Sequence, residues 1–446
     1  MTRTHDQERG NTMGFDALRN TVRGRVLESG DADFDRVARP WSLAVTQPVA
    51  AVAEVADAED VAAVLRHAHA AGCPVVTQPT GHGAAGGVEN AILVRTGALD
   101  RVEIDPVARV ARVGAGVQWG RVQAAAAAHG LTGLAGSNPV VGVTGYTLGG
   151  GAGWFARKFG WASNAVRAFE IVDADGRPAR VTADSDPDLF WALSGGGGDF
   201  AVVTGLEFEL FPMPALYGGR VMWPAERLPE VWDAFRALTS DAPDELSVWF
   251  QRFQFPQSPE MVALDVAYLG DPGAGAALVS VLDRIGGAVA DQRGALSVAD
   301  IGDITSEPTD PSPAIGRTEL LPALTPEAEK ILLGESVAPL ANIQVRHLGG
   351  ALAGPAVGAR GPLGEDYLVY LLGLGLPQLR DAVHAKLDTF GTQLGGQISG
   401  TKPFTFLAPG ESAAAAFDPA TLDRLRAVKR DRDPHNVIRA NYPVLG

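Results

Sequence analysis

A β-branched run, Val75-Val76-Thr77, leads directly into Gln78-Pro79-Thr80-Gly81-His82-Gly83-Ala84-Ala85-Gly86-Gly87, a loop of small residues with one histidine in its middle. Small residues let main-chain N–H groups approach a ligand closely and tolerate positive φ. Clustered N–H groups form a concavity suited to an anion such as pyrophosphate. A histidine held there stands where it can touch, or covalently hold, a bound group. An ordinary glycine-rich turn with a solvated histidine produces the same pattern, so the loop acquires meaning only from the rest of the chain.

The chain of 446 residues has room for two or three domains, and its net charge of −15 argues against two kinds of partner. Nucleic acid needs clustered Lys and Arg, and so does an anionic membrane surface. A small-molecule partner remains; the oligomeric state is not written in the sequence. The single cysteine, Cys73, excludes an intrachain disulfide and a thiolate metal cluster. It stands after a helix-ending Gly72 and reads as a small buried hydrophobe. Residues 1–16 are polar, without the apolar centre of a signal peptide. No apolar run approaches the roughly 20 residues needed to span a bilayer. The expectation is a soluble cytoplasmic protein with a frayed N-terminal tail.

Periodicity predicts a strand at 48–56, a helix at 58–71 capped by Asp57, and a strand at 73–77. Short strands follow at 91–94, 101–105 and 110–113, then a helix at 119–129. An Asp-Gly turn joins 166–172 to 178–181 as a hairpin. A helix at 187–193 and a strand at 201–211 close this region, and Pro212 and Pro214 mark a boundary. Beyond it strands are expected near 246–253, 261–268, 342–348 and 367–374, with helices near 274–285 and 377–390. Residues 303–325 read as a loop and 419–430 as the last helix.

Gly114-Ala115-Gly116-Val117-Gln118-Trp119-Gly120 imitates a dinucleotide fingerprint, but its third glycine is one residue late and no acidic residue follows at the required distance. Close helix–strand packing accounts for these glycines. The second informative stretch is Gly136 to Trp154, with seven glycines in nineteen residues. That density is too high for a helix or a central strand, and it lets backbone lie flat against a large planar ligand. Interleaved Val, Tyr, Leu and Trp argue against a flexible linker.

Four ordered motifs now carry a resemblance. They are Thr80-Gly81-His82, Val141–Gly151, the block Pro187–Gly198 continuing through Asp199-Phe200-Ala201-Val202-Val203-Thr204, and Asp433–Arg439. Over about 39–214 and again over 428–441, the chain resembles berberine-bridge-enzyme-like flavoproteins of the vanillyl-alcohol-oxidase superfamily. The resemblance implies an α+β fold: a two-part PCMH-type FAD-binding domain plus an α+β substrate domain with an antiparallel sheet flanked by helices. It divides the chain into a lead-in (1–38), the FAD-binding domain (39–214), the substrate domain (215–404) and a returning C-terminal segment (405–446). It implies bound FAD and an FAD-dependent oxidoreductase, an oxidase taking hydride to flavin N5 with O2 as acceptor, in secondary metabolism. A redox-silent cyclase or isomerase using FAD as scaffold is the alternative, and a binding protein without FAD is a third reading.

In such proteins Thr80, Gly81, His82 and Gly83 correspond to the pyrophosphate loop. Ser137, Asn138, Gly142, Val143, Gly145, Gly149, Gly150 and Gly153 correspond to the isoalloxazine and ribityl cradle. Val202 and Val203 correspond to the adenine end, and Asn441 to the C-terminal contact. His82 matches a histidine commonly bonded to a ring methyl of the flavin. The position of a second, cysteinyl bond is Asn138, so double attachment is excluded. The family often has Arg at Gln78, Gly at Thr80, Asn at Asp199 and Asp at Ser163, and some relatives have tyrosine at Ala152.

The substrate half is less explicit. Asn342, Gln344 and Arg346 share one strand face, as do Ser247, Trp249, Gln251 and Phe253. Tyr367 and Tyr370 lie on opposite faces. Oxidation of an alcohol or C–N bond needs a proton acceptor, and Tyr370, His347 and Arg346 are the candidate catalytic residues. The other histidines, His5, His67, His69, His129, His384 and His435, show no metal-binding spacing.

Overall fold

The computed structural model describes residues 14–213, 215–334 and 336–446. Most of the expected tail, with His5, and the boundary residue Pro214 lie outside the described residues. A first sheet is built from β1 (Arg25–Glu28), β2 (Ala51–Glu54), β3 (Val75–Thr77) and β4 (Ile92–Arg95), in the order β1-β2-β4-β3. β4 is parallel to both β2 and β3. The helix Ala58–Ala71 makes the crossover that parallel strands require. Asp57 caps it by accepting from the N–H groups of Glu59 and Asp60, and Gly72 ends it at φ 67°. Its Val61, Val64, Leu65 and Ala68 are buried against the sheet. The lead-in is more than a tail, because β1 pairs antiparallel with β2. The loops after β2, β3 and β4 leave one edge of the sheet, where open parallel sheets bind ligands.

The second sheet is antiparallel. It contains β5 (Val102–Asp105), β6 (Val110–Gly114), β8 (Val166–Val172), β9 (Pro178–Val181) and β10 (Val202–Glu209), ordered β5-β6-β10-β8-β9. β7 (Leu131–Thr132) and β11 (Phe211–Pro212) form a small pair beside it. β8 and β9 make the expected hairpin. A Cβ on Gly116 would sit 2.1 Å from the Thr96 carbonyl oxygen, and one on Gly114 2.2 Å from that of Leu99. These glycines therefore serve backbone packing, as their sequence context suggests. The later glycine tract corrects one expectation: Val143–Leu148 is a short helix despite Gly145.

The third sheet has eight antiparallel strands: β12 (Leu216–Pro224), β13 (Leu246–Phe253), β14 (Met261–Tyr268), β15 (Ala290–Asp291), β16 (Gly294–Leu296), β17 (Ala314–Leu321), β18 (Leu340–His347) and β19 (Tyr367–Leu374). The order is β15-β12-β14-β13-β18-β19-β17, with β16 also on β12. One face packs Phe250, Leu264, Val345 and Val369 against helices Leu228–Thr239, Pro326–Gly334 and Arg380–Leu394. The sequence reading missed β12 and the first two of these helices, and it placed β17 in a loop. The helix expected near 274–285 divides into Pro272–Leu278 and a 3-10 segment, Ser280–Arg284. No helix among the described residues is long and apolar enough to cross a membrane.

The C-terminus is tied back by a buried charge network. Lys429, on the helix Pro419–Arg432, is fully buried and donates to Asp433 Oδ2 (2.8 Å), to the Asp199 carbonyl (2.7 Å) and to the Ile438 carbonyl. Asp433 also accepts from the N–H groups of Val437 and Ile438. Asp199 accepts from those of Ala440 and Val444. Val75 N–H donates to the Val437 carbonyl, and Arg439 N–H donates back to that of Val75, so the segment lies alongside β3. Removing the cation while keeping both carboxylates leaves uncompensated buried charge. Lys429→Met is expected to cost about 3–5 kcal/mol, read as a lower midpoint in urea unfolding; an unchanged midpoint would show that the network contributes nothing.

Candidate functional site

The loop after β3 is held in shape by its own residues. Gly81 has φ +80°, and a Cβ there would lie 2.9 Å from Pro40 Cα, so only glycine fits. The His82 ring stacks on Trp41, with centroids 4.2 Å apart and 16° between planes. His82 Nδ1 shares a 2.8 Å hydrogen bond with Thr80 Oγ1, whereas its Nε2 is buried without a partner. Burial pushes the imidazole down to about 4. Gln78 donates to Gln47 Oε1 and to Asn441 Oδ1 (3.0 Å), while its own Oε1 is buried and unpartnered. Asn441 also approaches Gly83, so both ends of the chain meet at this loop. Beside it, at the ligand-binding edge of the parallel strands, is a cavity of about 360 Å³ bordered by Arg36, Arg39, Arg95, Thr80 and Gly97, with Glu54 as its one carboxylate.

The glycine tract abuts this loop: the Cβ position of Gly142 is 3.4 Å from Pro79 Cβ and 3.8 Å from Thr80 Oγ1. Gly145 is exposed, with nothing within 4 Å of its Cβ position. Other members of the expected cradle are taken up by protein packing. Gly149 meets Thr405 and Phe404, Gly150 meets Arg360 and Trp161, and Gly153 lies against the Ala135 carbonyl. The side chains of Val143 and Val203 belong to the core of the second sheet, and Val202 packs with the core of the first. Ser137 is buried. Asn138 donates to the Pro308 carbonyl (2.9 Å) and accepts from Val140 N–H. The segment containing Pro308 also accepts from Trp41 Nε1 at the Thr309 carbonyl, and Ser312 exchanges main-chain hydrogen bonds with Trp41 and Leu43. It therefore spans from Asn138 to the partner of His82.

The second face of the eight-stranded sheet is polar and buried. Register aligns Trp249 with Arg346, Gln251 with Gln344, and Gln344 with Tyr370, which merges the two mixed faces visible in the sequence into one. Asp265 is fully buried and held by Arg220 through two bonds of 2.6 and 2.9 Å, with the Gln251 amide as a third donor. Arg346 lies over the Trp249 ring at 3.8 Å and over Phe406 at 5.2 Å. Trp249 in turn stacks on Trp154, the end of the glycine tract, at 3.6 Å. Burial raises the Tyr370 hydroxyl to about 12, with Glu307 reinforcing the shift and Arg346 opposing it. Tyr146 rises for the same reason of burial, and its hydroxyl is buried without a partner.

His347 borders the same small space as Arg346 and Trp249, but its ring is held differently. It follows Arg346 in β18 and so points to the opposite face, toward Tyr367. Arg157 donates to its Nε2 (3.2 Å), and burial together with that cation pushes it to about 3. Arg157 also binds the carbonyls of Leu246, Ala242 and Leu348, so the pair joins the halves of the molecule. The sequence reading missed Trp41, Tyr146, Glu307 and the Arg220–Asp265 pair. A lone aspartate within the apolar run of β14 was the available signal for the last.

Unpartnered His82 Nε2, Gln78 Oε1 and Tyr146 OH, the open Gly145 and the cavity with its arginines fit a large, flat, anionic cofactor. The comparisons identify it. A family model described as "FAD binding domain" matches residues 49–182. The chain is 27% identical to (R)-6-hydroxynicotine oxidase of Paenarthrobacter nicotinovorans, over 95% of this chain and 97% of that protein. It is 36% identical to the FAD-dependent monooxygenase tpcD of Cochliobolus heterostrophus, over 39% of this chain and 34% of that one. The fold matches the solved structure of BBE-like 1 from Physcomitrella patens with a TM-score of 0.85 at 18% identity, covering 97% and 99% of the two chains. The chain is an FAD-dependent oxidoreductase with this two-part α+β fold. Its fold is that of PCMH-type, berberine-bridge-enzyme-like FAD-linked proteins, which its sequence motifs also resemble.

The depressed His82 has a consequence for stability. Between about pH 4 and the ordinary 6.5, the unfolded chain binds a proton at this residue that the folded chain refuses. Stability then rises with pH across that window and is lost as pH falls toward 4. His82→Asn is expected to flatten the dependence of Tm between pH 4 and 6.5; an unaltered slope would mean that His82 titrates normally in the folded protein.

Proposed function

We infer that this enzyme is an oxidase that takes a hydride from a C–H bond of a small organic molecule and passes the electrons to O2, releasing hydrogen peroxide. The observation that supports this most is the buried polar sheet face, with Arg346 and Tyr370, joined to the glycine tract through the Trp154–Trp249 stack. FAD supplies the two-electron acceptor. Thr80, Gly81, His82 and Gly83, with Arg39 at the cavity, would hold its phosphates. Gln78 and Asn441 brace that loop from behind. Ser137, Asn138 and the exposed Gly145 would border the ring. One covalent bond through His82 belongs to the reading, because its Nε2 is free of protein partners. Asn138 can offer no second bond, and Cys73 is buried in the core of the first sheet.

Tyr370 is a neutral phenol at physiological pH, since burial holds its proton on. It therefore acts as a hydrogen-bond donor that orients the substrate and stabilises negative charge at the reacting oxygen or nitrogen. Arg346 assists from the next strand. His347, neutral and clamped by Arg157, is a positioning residue. The reading includes the division at 39–214, 215–404 and 405–446, with the lead-in joined to the first sheet through β1, and a place in cytoplasmic secondary metabolism.

Purified protein should be yellow, and the colour should stay with the acid-precipitated pellet. His82→Ala should release the flavin into the supernatant. Anaerobic mixing with a panel of alcohols, sugars and amines should bleach the flavin, and air should restore it with peroxide release. Tyr370→Phe should slow bleaching by about 10²-fold, the usual cost of one preorganised donor. A flavin that no compound bleaches, but whose protein still converts a substrate with the flavin kept reduced, would replace oxidation with a scaffold role.

A further inference from the structure

The buried sheet face contains an unanswered positive charge. Asp265 is matched by Arg220 and by the Gln251 amide. Gln251 in turn accepts from Asn342. The Nε of Arg346 donates to Gln344 Oε1 at 2.5 Å. Among the described residues its two terminal nitrogens have no hydrogen-bond partner, and no carboxylate comes within ion-pair distance. The residue is nonetheless only 7% exposed. The enclosed space beside it, bordered by Trp249, Phe406 and Ala152 and also by Arg157 and His347, is about 10 Å³, enough for one water at most. An unpaired guanidinium in such a setting carries a desolvation penalty that protein normally offsets with an anion.

The surroundings narrow the nature of that anion. Arg346 has a planar fork with its outer edge free, the geometry that receives a carboxylate through two parallel bonds. Tyr370 stands opposite Gln344, the acceptor of Arg346 Nε, in the register of β18 and β19, and both Tyr146 and Tyr370 act electrostatically on Arg346. The Tyr146 hydroxyl has no protein partner. The walls are flat rings, Trp249 and Phe406 against the guanidinium and Tyr146 against Gly151. Glu307, on the segment that reaches Asn138 and Trp41, is the one acidic group that acts on both Arg346 and Tyr370 without being consumed by Arg220. Its negative charge opposes an incoming anion and weakens its hold.

We propose that the substrate of this oxidoreductase carries a carboxylate, and that Arg346 receives it with Tyr146 and Tyr370 as added donors. Arg346 is then the residue that determines specificity at this site, with Trp249 and Phe406 fixing the plane of its guanidinium. The inference rests on the reading of this face as the substrate side of the flavin.

Binding separates the two claims. The FAD-loaded protein, with loading checked by flavin absorbance, is titrated calorimetrically with benzoate, benzamide and benzylamine at fixed ionic strength. Benzoate is expected to bind at least about tenfold more tightly than benzamide, the value of a charged hydrogen-bonded pair over a neutral one. Arg346→Gln should abolish the preference while flavin absorbance is retained. Glu307→Gln, away from the sheet, should tighten benzoate severalfold, and it decides the matter if the arginine variant does not fold. Yellow protein that binds benzamide or benzylamine as well as benzoate, or an Arg346→Gln variant that keeps the preference, overturns the proposal. Failure to take up FAD at all overturns the redox reading instead.

Discussion

The ring of Trp249 is the hinge of the whole arrangement. Trp154, delivered by the glycine tract, stacks on it at 3.6 Å, and the Arg346 guanidinium lies over it at 3.8 Å. Both tryptophans are essentially buried. Such a contact contributes about 0.5–1.5 kcal/mol beyond the burial itself. Its larger effect is geometric, because it sets the distance between the tract that would border the flavin and the face that would receive the substrate. Ser247 Oγ donates to the Trp154 carbonyl, and Arg157 gathers carbonyls from both sides of the same junction. The close approach depends on Gly153, whose missing side chain lets the chain pass 2.3 Å, measured from a built Cβ, from the Ala135 carbonyl oxygen.

The cofactor side is held by a different device. The chain ends are brought to the His82 loop by charges that water never reaches, Lys429 between Asp199 and Asp433. The structure gives a physical reason for a carboxylate at Asp199. It accepts two main-chain N–H groups of the C-terminal segment and faces a lysine. That segment then supplies Asn441 to Gln78. Asn138, where relatives can carry a cysteine, is occupied in fastening the Pro308 segment over the tract. Substitutions that look like losses of chemistry thus act as structural ties.

Much of the first half was legible because its signals are local. Asp57 and Gly72 bracket a helix, Asp173 and Gly176 make a hairpin turn, and Gly81 is required by a positive φ next to Pro40. The substrate face was half legible. Alternation in β13 and β18 displayed its residues, but only the register that pairs Trp249 with Arg346 shows that they share one surface. His347 illustrates the limit: one residue from Arg346, it faces the helices, a parity that the strand boundaries fix. β12 was hidden by its adjacent Gly218 and Gly219, and β17 by the Pro- and Thr-rich segment before it. In the glycine tract, Gly149, Gly150 and Gly153 accommodate neighbouring protein, whereas Gly145 is left open. Tyr146, six residues into that tract from Val140, carries no pattern that separates a site residue from packing.

The central claim is that the flavin ring lies between the Gly145 tract and the polar face of the eight-stranded sheet. The most direct measurement is a crystal structure of the FAD-loaded protein. The account predicts the ring between Gly145 and Tyr370, with His82 at one edge and Arg346 on the substrate side. A ring found on the helix-covered side of the sheet, or one whose exposed face is turned away from Arg346 and Tyr370, would contradict it.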